Sequence, residues 1–322
     1  MSAGIVDAGR VSAPVTHDAR PSSYRADIQG LRAIAVLLVM VFHAGLPFLP
    51  GGYIGVDVFF VISGFLITGL LVREIEATGR VDFGAFYARR IRRRLPAGTT
   101  VLVCVVIASF IWLPSSMWSE IGDSVVASAF FLVNWLFAAQ SADYFVGGAE
   151  NPIQHFWSLA VEEQFYLMWP ALLVVAGGRW LWRRAHLRGR LAAAMLAVFI
   201  PSLAWSLLLT QSDAGRAYFV TTTRLWELAL GGLVALSIPA WRRLPAWTAT
   251  PLVLLGVLVM LGAGVGFTTQ TPYPGSAALV PTLATALVIG AGSRRLGATV
   301  LGSRPMVWIG GMSYSLYLWH WP

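Results

Sequence analysis

The 322-residue chain contains no lysine, a single cysteine and few charged residues of either sign. Cys104 has no second cysteine to pair with, so no disulfide within the chain can support the fold. Charged residues make up 12% of the sequence and hydrophobic residues 57%, which is far from the balance of a soluble domain. Together with a mean hydropathy of +0.69, this scarcity of charge predicts a protein whose surface is mostly solvated by lipid.

All of the basic charge is carried by arginine, and all but two of the 23 arginines fall into five clusters. Between the clusters lie apolar stretches of about the length of a membrane-spanning helix, roughly 17–25 residues. Basic residues in that position orient a membrane protein and contact anionic headgroups, so the net charge of +8 does not indicate nucleic-acid binding. We therefore predict an all-α, polytopic transmembrane helix bundle that binds membrane lipid and no nucleic acid. The clusters are Arg10, Arg20, Arg25 and Arg32; Arg73, Arg80, Arg89, Arg90, Arg92, Arg93 and Arg94; Arg179, Arg183, Arg184, Arg188 and Arg190; Arg242 and Arg243; and Arg294, Arg295 and Arg304.

Ten apolar segments are candidates for spans. If all ten crossed the membrane, the last three arginine clusters would lie outside, against the positive-inside rule. If 123–139 is instead re-entrant or interfacial, all five clusters fall on one side. We take this second topology, which has about nine spans and a cytoplasmic N-terminus. The segments are 31–49, 54–72, 97–114, 123–139, 155–176, 191–209, 218–237, 248–267, 277–292 and 305–322.

The first 23 residues are polar, rich in Ala, Ser and Pro, and lack the apolar core of a signal peptide. They predict a disordered cytoplasmic tail, and 24–322 then forms one membrane domain. We expect this domain to be incomplete at its C-terminus, because the last apolar segment is short and has no flanking charge. With this topology, Gly147–Pro152 belongs to an extracytoplasmic hairpin that is suited to a lid or binding loop.

Ionisable residues inside the apolar segments carry the chemical information, because a charge at the bilayer centre costs about 2.5–3.5 kcal/mol even on the lenient insertion scale. Arg32 and His43 are eleven positions apart, which puts them on one helix face with roughly 16 Å of rise between them. His43 is then either a neutral ring bonded to a backbone carbonyl or a catalytic base. Glu162 and Glu163 lie two turns into an aromatic segment, and we expect such deep carboxylates to have partners.

Asp57 stands near the start of the second apolar segment. It could accept a hydrogen bond from His43 and orient that ring, or it could cap an interfacial helix. Arg224 and Glu227 are three positions apart, so they are expected to pair on one helix face and to be structural.

The run from Phe86 to Pro96 holds more positive charge than orientation requires. Guanidinium groups bind phosphates bidentately, and Arg93 shares a helix face with Arg89 and Arg90. These side chains could clamp the phosphates of a cytoplasmic nucleotide-type cofactor. The alternative is an anchor for lipid headgroups. No metal site is predicted.

Five motifs, found in one order from about residue 24 onwards, together resemble those of acyltransferase family 3, the bacterial integral-membrane O-acyltransferases. They are the segment 24–43 with its arginine and histidine, the glycine-rich block 55–66, the Phe-Tyr-x-Arg-Arg run, the segment 156–170 and the closing segment 313–322. The chain is thus identified as a fragment that covers most of that family's membrane domain.

The resemblance implies transfer of an acyl group, commonly acetyl from acetyl-CoA, to a hydroxyl of an extracytoplasmic glycan or lipid-linked sugar. It assigns Arg32 and His43 to the family's arginine–histidine motif. Many members also carry a C-terminal extracytoplasmic domain of the SGNH type, which would lie beyond residue 322. The resemblance also matches Arg89, Arg90, Arg92 and Arg93 to the family's arginine pair, and we predict that these four arginines and Arg32 bind the acyl-CoA donor.

Our hypothesis for the chemistry is that neutral His43 deprotonates the acceptor hydroxyl, with Asp57 or Glu163 orienting the base or the acceptor. A covalent acyl-histidine relay is the alternative chemistry. A transporter or flippase for acyl or glycan intermediates is the alternative function, and a non-catalytic scaffold is a third. The arginine-rich loop and the lack of an apparent inverted repeat favour the acyltransferase.

Overall fold

The structure is a computed structural model that describes residues 25–140, 151–178, 186–292 and 301–322. Within these ranges every regular element is a helix, which confirms the predicted all-α fold class. The predicted disordered tail at 1–23 lies outside the described residues, as does most of the predicted hairpin before Asn151. In chain order the helices are α1 (Ala26–His43), α2 (Gly55–Thr78), α3 (Phe83–Trp112), α4 (Trp118–Ala129), α5 (Val133–Ala139), α6 (Phe156–Gly177), α7 (Leu187–Ser212), α8 (Ala214–Phe219), α9 (Leu225–Trp241), α10 (Ala246–Gly266), α11 (Leu279–Ala291) and α12 (Arg304–Trp319).

Six helices are long and apolar enough to cross a membrane, namely α1, α2 with the short turn before it, α3, α6, α7 and α10. The apolar helices α9 and α11 have only 17 and 13 residues. At about 1.5 Å of rise per residue they reach roughly 26 and 20 Å, less than a hydrocarbon core of about 30 Å. The structure thus supports a multi-pass membrane protein, whereas the prediction of about nine spans is not confirmed.

The predicted re-entrant or interfacial segment, 123–139, is two short helices rather than one. Helices α4 and α5 are separated at Phe131, whose φ of 56° interrupts the helical backbone. Their 12 and 7 residues reach only about 18 and 10 Å, so neither can cross a bilayer alone. This agrees with the prediction that the segment does not span.

The predicted span 218–237 is also interrupted. Helix α8 ends at Phe219, and the threonines that follow form a single 3-10 turn before α9 begins at Leu225. The Thr223 hydroxyl donates to the backbone carbonyls of Ala217 at 2.7 Å and Val220 at 2.6 Å. Such side-chain bonds compete with a continuous helix, and they place Arg224 at the break.

Helix α2 packs most extensively against α9, and two glycines allow the close approach. A Cβ atom on Gly64 would collide with the carbonyl oxygen of Leu228, and one on Gly231 with that of Val61. Backbone contact of this kind is typical of helix pairs in membranes. The glycine-rich block that the sequence shows in α2 therefore serves helix packing.

The second half of α3 lies at the periphery. Ile111 and Trp112 are 64% and 76% exposed, and Phe110 before them is also exposed. Large apolar side chains with this exposure are suited to lipid rather than water.

The helices pack side by side between two ends of the bundle, and the pairs α1 with α12 and α2 with α9 run in the same direction. At one end, Arg188 of α7 donates to Glu76 of α2 at 2.8 Å. We call this the arginine end, because it also holds the start of α3. At the other, the backbone N–H of Gly51 donates to the carbonyl of Gly264 at 2.8 Å. We call it the histidine end, because α1 reaches it at His43.

Candidate active site

A cavity of about 390 Å³ lies among α1, α2, α3, α6 and α12. Its walls combine apolar side chains of α2, such as Phe59 and Ile67, with the guanidinium groups of six arginines. Guanidinium groups match the geometry of phosphate oxygens, and the apolar wall suits an uncharged arm. We call it the arginine cavity. The six arginines are Arg32, Arg73, Arg89, Arg90, Arg93 and Arg94.

The arginines of α3 reach the cavity because of their helical spacing. At about 100° per residue, Arg89, Arg93, Arg90 and Arg94 follow one another across an arc of roughly 140°. Arg92 lies about 60° beyond the edge of that arc, and its Nε donates to the carbonyl of Ala88 at 3.2 Å.

Four of the five arginines predicted to bind the donor therefore line one cavity, and these include Arg32 from a different helix. Arg92 does not line it, and its side chain is exposed. The prediction for Arg92 followed the family motif, whereas the helix face decides which side chains converge. Arg73 and Arg94 also line the cavity without having been predicted, and their place in the same arginine cluster was the available signal in the sequence.

Arg94 pairs with two carboxylates. Its Nη1 donates to Glu162 Oε2 at 2.9 Å and to Glu163 Oε1 at 2.6 Å, and its Nη2 donates to Tyr166 Oη at 3.1 Å. Glu162 also accepts from Tyr166 and from Ser63. The expectation that these deep carboxylates have partners is confirmed. We call Arg94, Glu162 and Glu163 the Arg94 cluster.

The two glutamates of the Arg94 cluster face different spaces. Glu162 lines the arginine cavity, whereas the predicted catalytic Glu163 lines an adjoining apolar groove of about 360 Å³ among α3, α4 and α6. Arg94 and Tyr314 line both spaces. The Arg94 cluster therefore stands where the two spaces meet.

His43 meets a second histidine at the histidine end. Its Nδ1 lies 2.9 Å from Nε2 of His320, which follows α12. The Nδ1 of His320 lies 2.6 Å from the carbonyl oxygen of Tyr317. His320 is 277 positions from His43, and no local pattern in the sequence signalled this pairing.

A third imidazole, that of His155, is buried beside this pair. Its Nε2 donates to the carbonyl of Leu318 at 3.1 Å, and its ring centroid lies 5.4 Å from that of His320. Trp321 packs edge-on against His43 with 4.5 Å between centroids, and its Nε1 donates to the carbonyl of Asn151 at 2.9 Å. Across the part of the chain that the structure describes, no three His, Cys, Asp or Glu side chains are arranged to hold a metal ion.

Tyr317 connects the arginine cavity with the histidines. It lines the cavity, and its hydroxyl lies 2.6 Å from that of Ser158, which also lines it. Its ring centroid is 5.1 Å from that of His320. His43 itself does not line the arginine cavity, and Tyr317 contacts both the cavity and the histidines. The closing segment 313–322 carries part of the family resemblance, but no role was predicted for Tyr317.

Asp57 is committed to an arginine rather than to His43. Arg224 Nη1 donates to Asp57 Oδ1 and to Glu227 Oε1, both at 3.0 Å, and all three side chains are at most 1% exposed. Tyr273, in the loop after α10, has its ring 5.4 Å from the same guanidinium. Burial, and to a smaller extent the nearby Asp57 carboxylate, raises the pKa of the Tyr273 hydroxyl well above its usual range.

The predicted pairing of Arg224 with Glu227 is confirmed, whereas Asp57, one of the two carboxylates suggested to orient His43 or the acceptor, is paired with Arg224. The long α2–α9 contact brings Asp57 to the break before α9, where Arg224 lies. We call Arg224, Asp57 and Glu227 the Arg224 cluster.

Comparison with known proteins gives a family and two informative relatives. A family model described as an acyltransferase domain matches residues 25–322. The chain is 34% identical over 311 residues to the O-acetyltransferase OatA of Staphylococcus aureus strain NCTC 8325, which covers 93% of the chain and 50% of that protein. It is 36% identical over 320 residues to the putative peptidoglycan O-acetyltransferase YrhL of Bacillus subtilis strain 168, and this alignment covers 95% of the chain and 49% of that protein. The chain therefore spans about half the length of the curated relatives it matches. No solved structure is significantly similar.

Proposed function

Since the chain belongs to the acyltransferase domain family, we propose that it is the membrane part of an O-acyltransferase that acts on cell-envelope glycan. It moves an acyl group, most simply acetyl, from cytoplasmic acyl-CoA to a hydroxyl of an extracytoplasmic glycan or lipid-linked sugar. The names of the relatives support this acceptor class, since one is an O-acetyltransferase and another a putative peptidoglycan O-acetyltransferase. The observation that carries the proposal is the arginine cavity, whose wall at Tyr317 contacts the histidines.

The donor binds with its phosphates on the arginines. CoA bears several phosphate charges at one end and a thioester at the other, joined by a long, largely uncharged arm. Arg89, Arg90 and Arg93 contact the phosphates, and the arm follows the apolar wall of α2 towards Ser158 and Tyr317. The anionic end of the donor is thereby kept apart from the transfer step.

The transfer takes place near His43. The basic nitrogen of His43 accepts the proton of the acceptor hydroxyl while that oxygen forms a bond to the thioester carbonyl carbon. The carbon–sulfur bond then breaks, and the departing thiolate takes the proton from His43 to leave as free CoA. The imidazole is unchanged at the end of the cycle, and no net proton is consumed.

Glu163 is proposed to act on the acceptor side of this step, through its place in the adjoining groove and its bond to Arg94. For Asp57 we now propose support of the α2–α9 contact instead of a place beside the reacting atoms, because its carboxylate is held by Arg224.

The arginine end faces the cytoplasm of a bacterial inner membrane in this proposal. The support is the positive-inside rule, since the run from Arg89 to Arg94 opens at that end. The N-terminus is then cytoplasmic, and His43 lies near the extracytoplasmic surface.

The experiment is acyl transfer by the full-length protein in proteoliposomes, with [14C]acetyl-CoA added on one side and a peptidoglycan-type glycan or lipid-linked sugar on the other. We expect label to enter the acceptor. His43→Ala should lower the rate by about 10²–10⁴-fold, the usual contribution of a general base. The double variant Arg89→Lys/Arg93→Lys should raise KM for the donor, because lysine keeps the charge but cannot bind bidentately.

The matched control is Arg80→Lys, an exposed arginine near the same end that does not line the cavity, and it should behave as wild type. Transfer by His43→Ala at the rate of wild type would refute the chemistry proposed for this residue. Movement of unmodified donor or acceptor across the membrane, without transfer of label, would instead support the transporter.

A further inference from the structure

The hydrogen-bond chain at the histidine end defines which nitrogen of each ring carries a proton. Nδ1 of His320 lies 2.6 Å from the carbonyl oxygen of Tyr317. A carbonyl oxygen can only accept, so Nδ1 of His320 must be the protonated nitrogen. No carboxylate within the described ranges is paired with His320, and a half-buried cation without such a partner is disfavoured. His320 is therefore a neutral ring whose Nε2 bears a lone pair.

The hydrogen bond between His320 and His43 then determines which nitrogen of His43 is protonated. Nδ1 of His43 lies 2.9 Å from Nε2 of His320, and an acceptor at that position requires a donor opposite it. His43 must then be protonated on Nδ1. In a neutral imidazole the other nitrogen is the basic one, so the lone pair of His43 resides on Nε2.

We propose that His320 is a positioning residue for His43, one that selects the tautomer with the basic nitrogen at Nε2 and stabilises the imidazolium that forms during transfer. This inference rests on the proposed function, in which His43 is the base. His320 does in this protein what a carboxylate does for many catalytic histidines, but it does so as a neutral acceptor.

The surroundings of His320 keep the acceptor in place. Helix α12 packs along α1, where a Cβ atom on Gly310 would collide with the carbonyl of Gln29. After α12 the chain is tied down by Trp321, whose indole N–H bonds to the carbonyl of Asn151 and whose ring packs on His43. The end of α12 therefore holds His43 from two sides.

The role of this contact in the reaction follows from the proton path. When Nε2 of His43 accepts the proton of the acceptor hydroxyl, the ring becomes a cation with both nitrogens protonated. The bond from Nδ1 to His320 becomes charge-assisted, and such bonds are stronger than neutral ones. When the thiolate leaves and takes the proton from Nε2, the bond returns to its neutral form. His320 gains and loses no proton in the cycle.

The first test is kinetic, on the full-length protein in proteoliposomes. His320→Ala should lower kcat by about 10- to 100-fold, less than loss of the base itself, with KM for acetyl-CoA changed by less than about twofold. His320→Gln should recover a large part of kcat, because its amide oxygen can accept from Nδ1 of His43. The matched control is His186→Asn, an exposed histidine before α7 whose left-handed backbone asparagine tolerates, and it should leave kcat unchanged.

The second test reads the tautomer directly and does not depend on turnover. The chain has only five histidines, so 15N-histidine labelling of the protein in lipid gives few signals, and His43 is assigned by its loss in His43→Ala. Wild type should show a protonated Nδ1 and an unprotonated Nε2 for His43. In His320→Ala the two tautomers should mix, and in His320→Gln the wild-type state should return.

The outcomes separate this inference from the proposed function. The inference would be overturned if His320→Ala had the kcat of wild type, or if His43 in wild type were protonated on Nε2. The proposed acyltransferase function would remain in either case. Equal losses in His320→Ala and His320→Gln together with lowered thermal stability would also overturn it, since they mark a structural role. Absence of transfer in wild type, with the expected tautomer in the spectra, would refute the proposed function instead.

Discussion

The Arg94 and Arg224 clusters have the same chemical composition, one arginine and two carboxylates, but differ in their access to solvent. In the Arg94 cluster the side chains of Arg94, Glu162 and Glu163 are 24%, 11% and 18% exposed, because the cluster borders two open spaces. In the other cluster, Arg224 is 1% exposed and none of its partners exceeds that value. Arg94 therefore borders a space that a ligand could enter, whereas Arg224 is enclosed among packed helices.

The difference shows that a charged residue within an apolar helix is not by itself a sign of catalysis. A closed ion pair contributes little net stability relative to apolar packing, but the loss of one partner leaves an unpaired buried charge. A pair that borders a cavity keeps some hydration, so breaking it costs less in stability and more in ligand binding. The predictions below distinguish these two cases.

The largest effect is expected from Arg224→Ala. It leaves Asp57 and Glu227 buried without their cation, which should lower the free energy of unfolding by about 3–5 kcal/mol. The measurement is the thermal unfolding midpoint of purified protein in detergent, together with its level in the membrane.

The control for this prediction is Arg216→Ala, an exposed arginine on α8 next to the same break in the chain. It should unfold like wild type. Equal stability of Arg224→Ala and wild type would contradict the view that the Arg224 cluster is structural.

The next largest effect is expected from Arg94→Gln, and it should appear in transfer rather than in folding. Loss of the cation leaves two carboxylates next to the arginine cavity, which opposes binding of a phosphate-bearing donor. We expect kcat/KM for acetyl-CoA to fall by about 10- to 100-fold while the loss of stability stays smaller than that of Arg224→Ala, because both carboxylates border open spaces and keep some hydration. A drop in the unfolding midpoint as large as that of Arg224→Ala would remove the distinction between the clusters.

A finer comparison uses the same isosteric change in both clusters. Asp57→Asn keeps an oxygen for Arg224 and removes one of two negative charges. The rate of transfer per folded molecule and the equilibrium constant of unfolding should therefore both stay within about threefold of wild type. Glu163→Gln has the same local effect but should lower transfer by at least about tenfold, because it removes a charge proposed to act on the acceptor side. Both are measured as labelled transfer normalised to folded protein. The reverse order of the two activities would return Asp57 to the reacting groups.

The smallest effect is expected at the surface pair of Arg188 and Glu76. Their side chains are 48% and 33% exposed, so water and salt screen the contact. Arg188→Ala should change the free energy of unfolding by no more than about 1 kcal/mol and should leave transfer unaffected. Unfolding midpoints at low and high salt provide the check, and a large loss at high salt would show that this contact is better shielded than its exposure indicates.

Much of the helical framework could be predicted from hydropathy. The segments predicted at 155–176 and 248–267 correspond closely to α6 and α10, because both are apolar over nearly their whole length. The start of α3 could not be found in this way. Its first turns are rich in arginine, which hydropathy scores as loop although arginine is a good helix former. As a result the helix begins at Phe83, well before the predicted 97.

The candidate site was predictable where the relevant residues share one helix. Arg89, Arg90 and Arg93 follow from the helical period of α3, and the partnered carboxylates follow from the cost of burying charge. The partner of Asp57 was not predictable, because Arg224 is 167 positions away. The pairing of His43 with His320 was missed for the same reason.

The sequence by itself determined that this chain is a helical membrane protein with its arginines in clusters beside apolar segments, and its motifs were sufficient to indicate the family. These properties depend on sums over neighbouring residues, which the order of the chain already contains. Only the tertiary structure decided that Arg94 borders a cavity, that Arg224 is closed off, and that His320 rather than Asp57 meets His43. Those contacts join helices that are far apart in the chain, and they depend on which helix faces pack together and how closely their backbones approach.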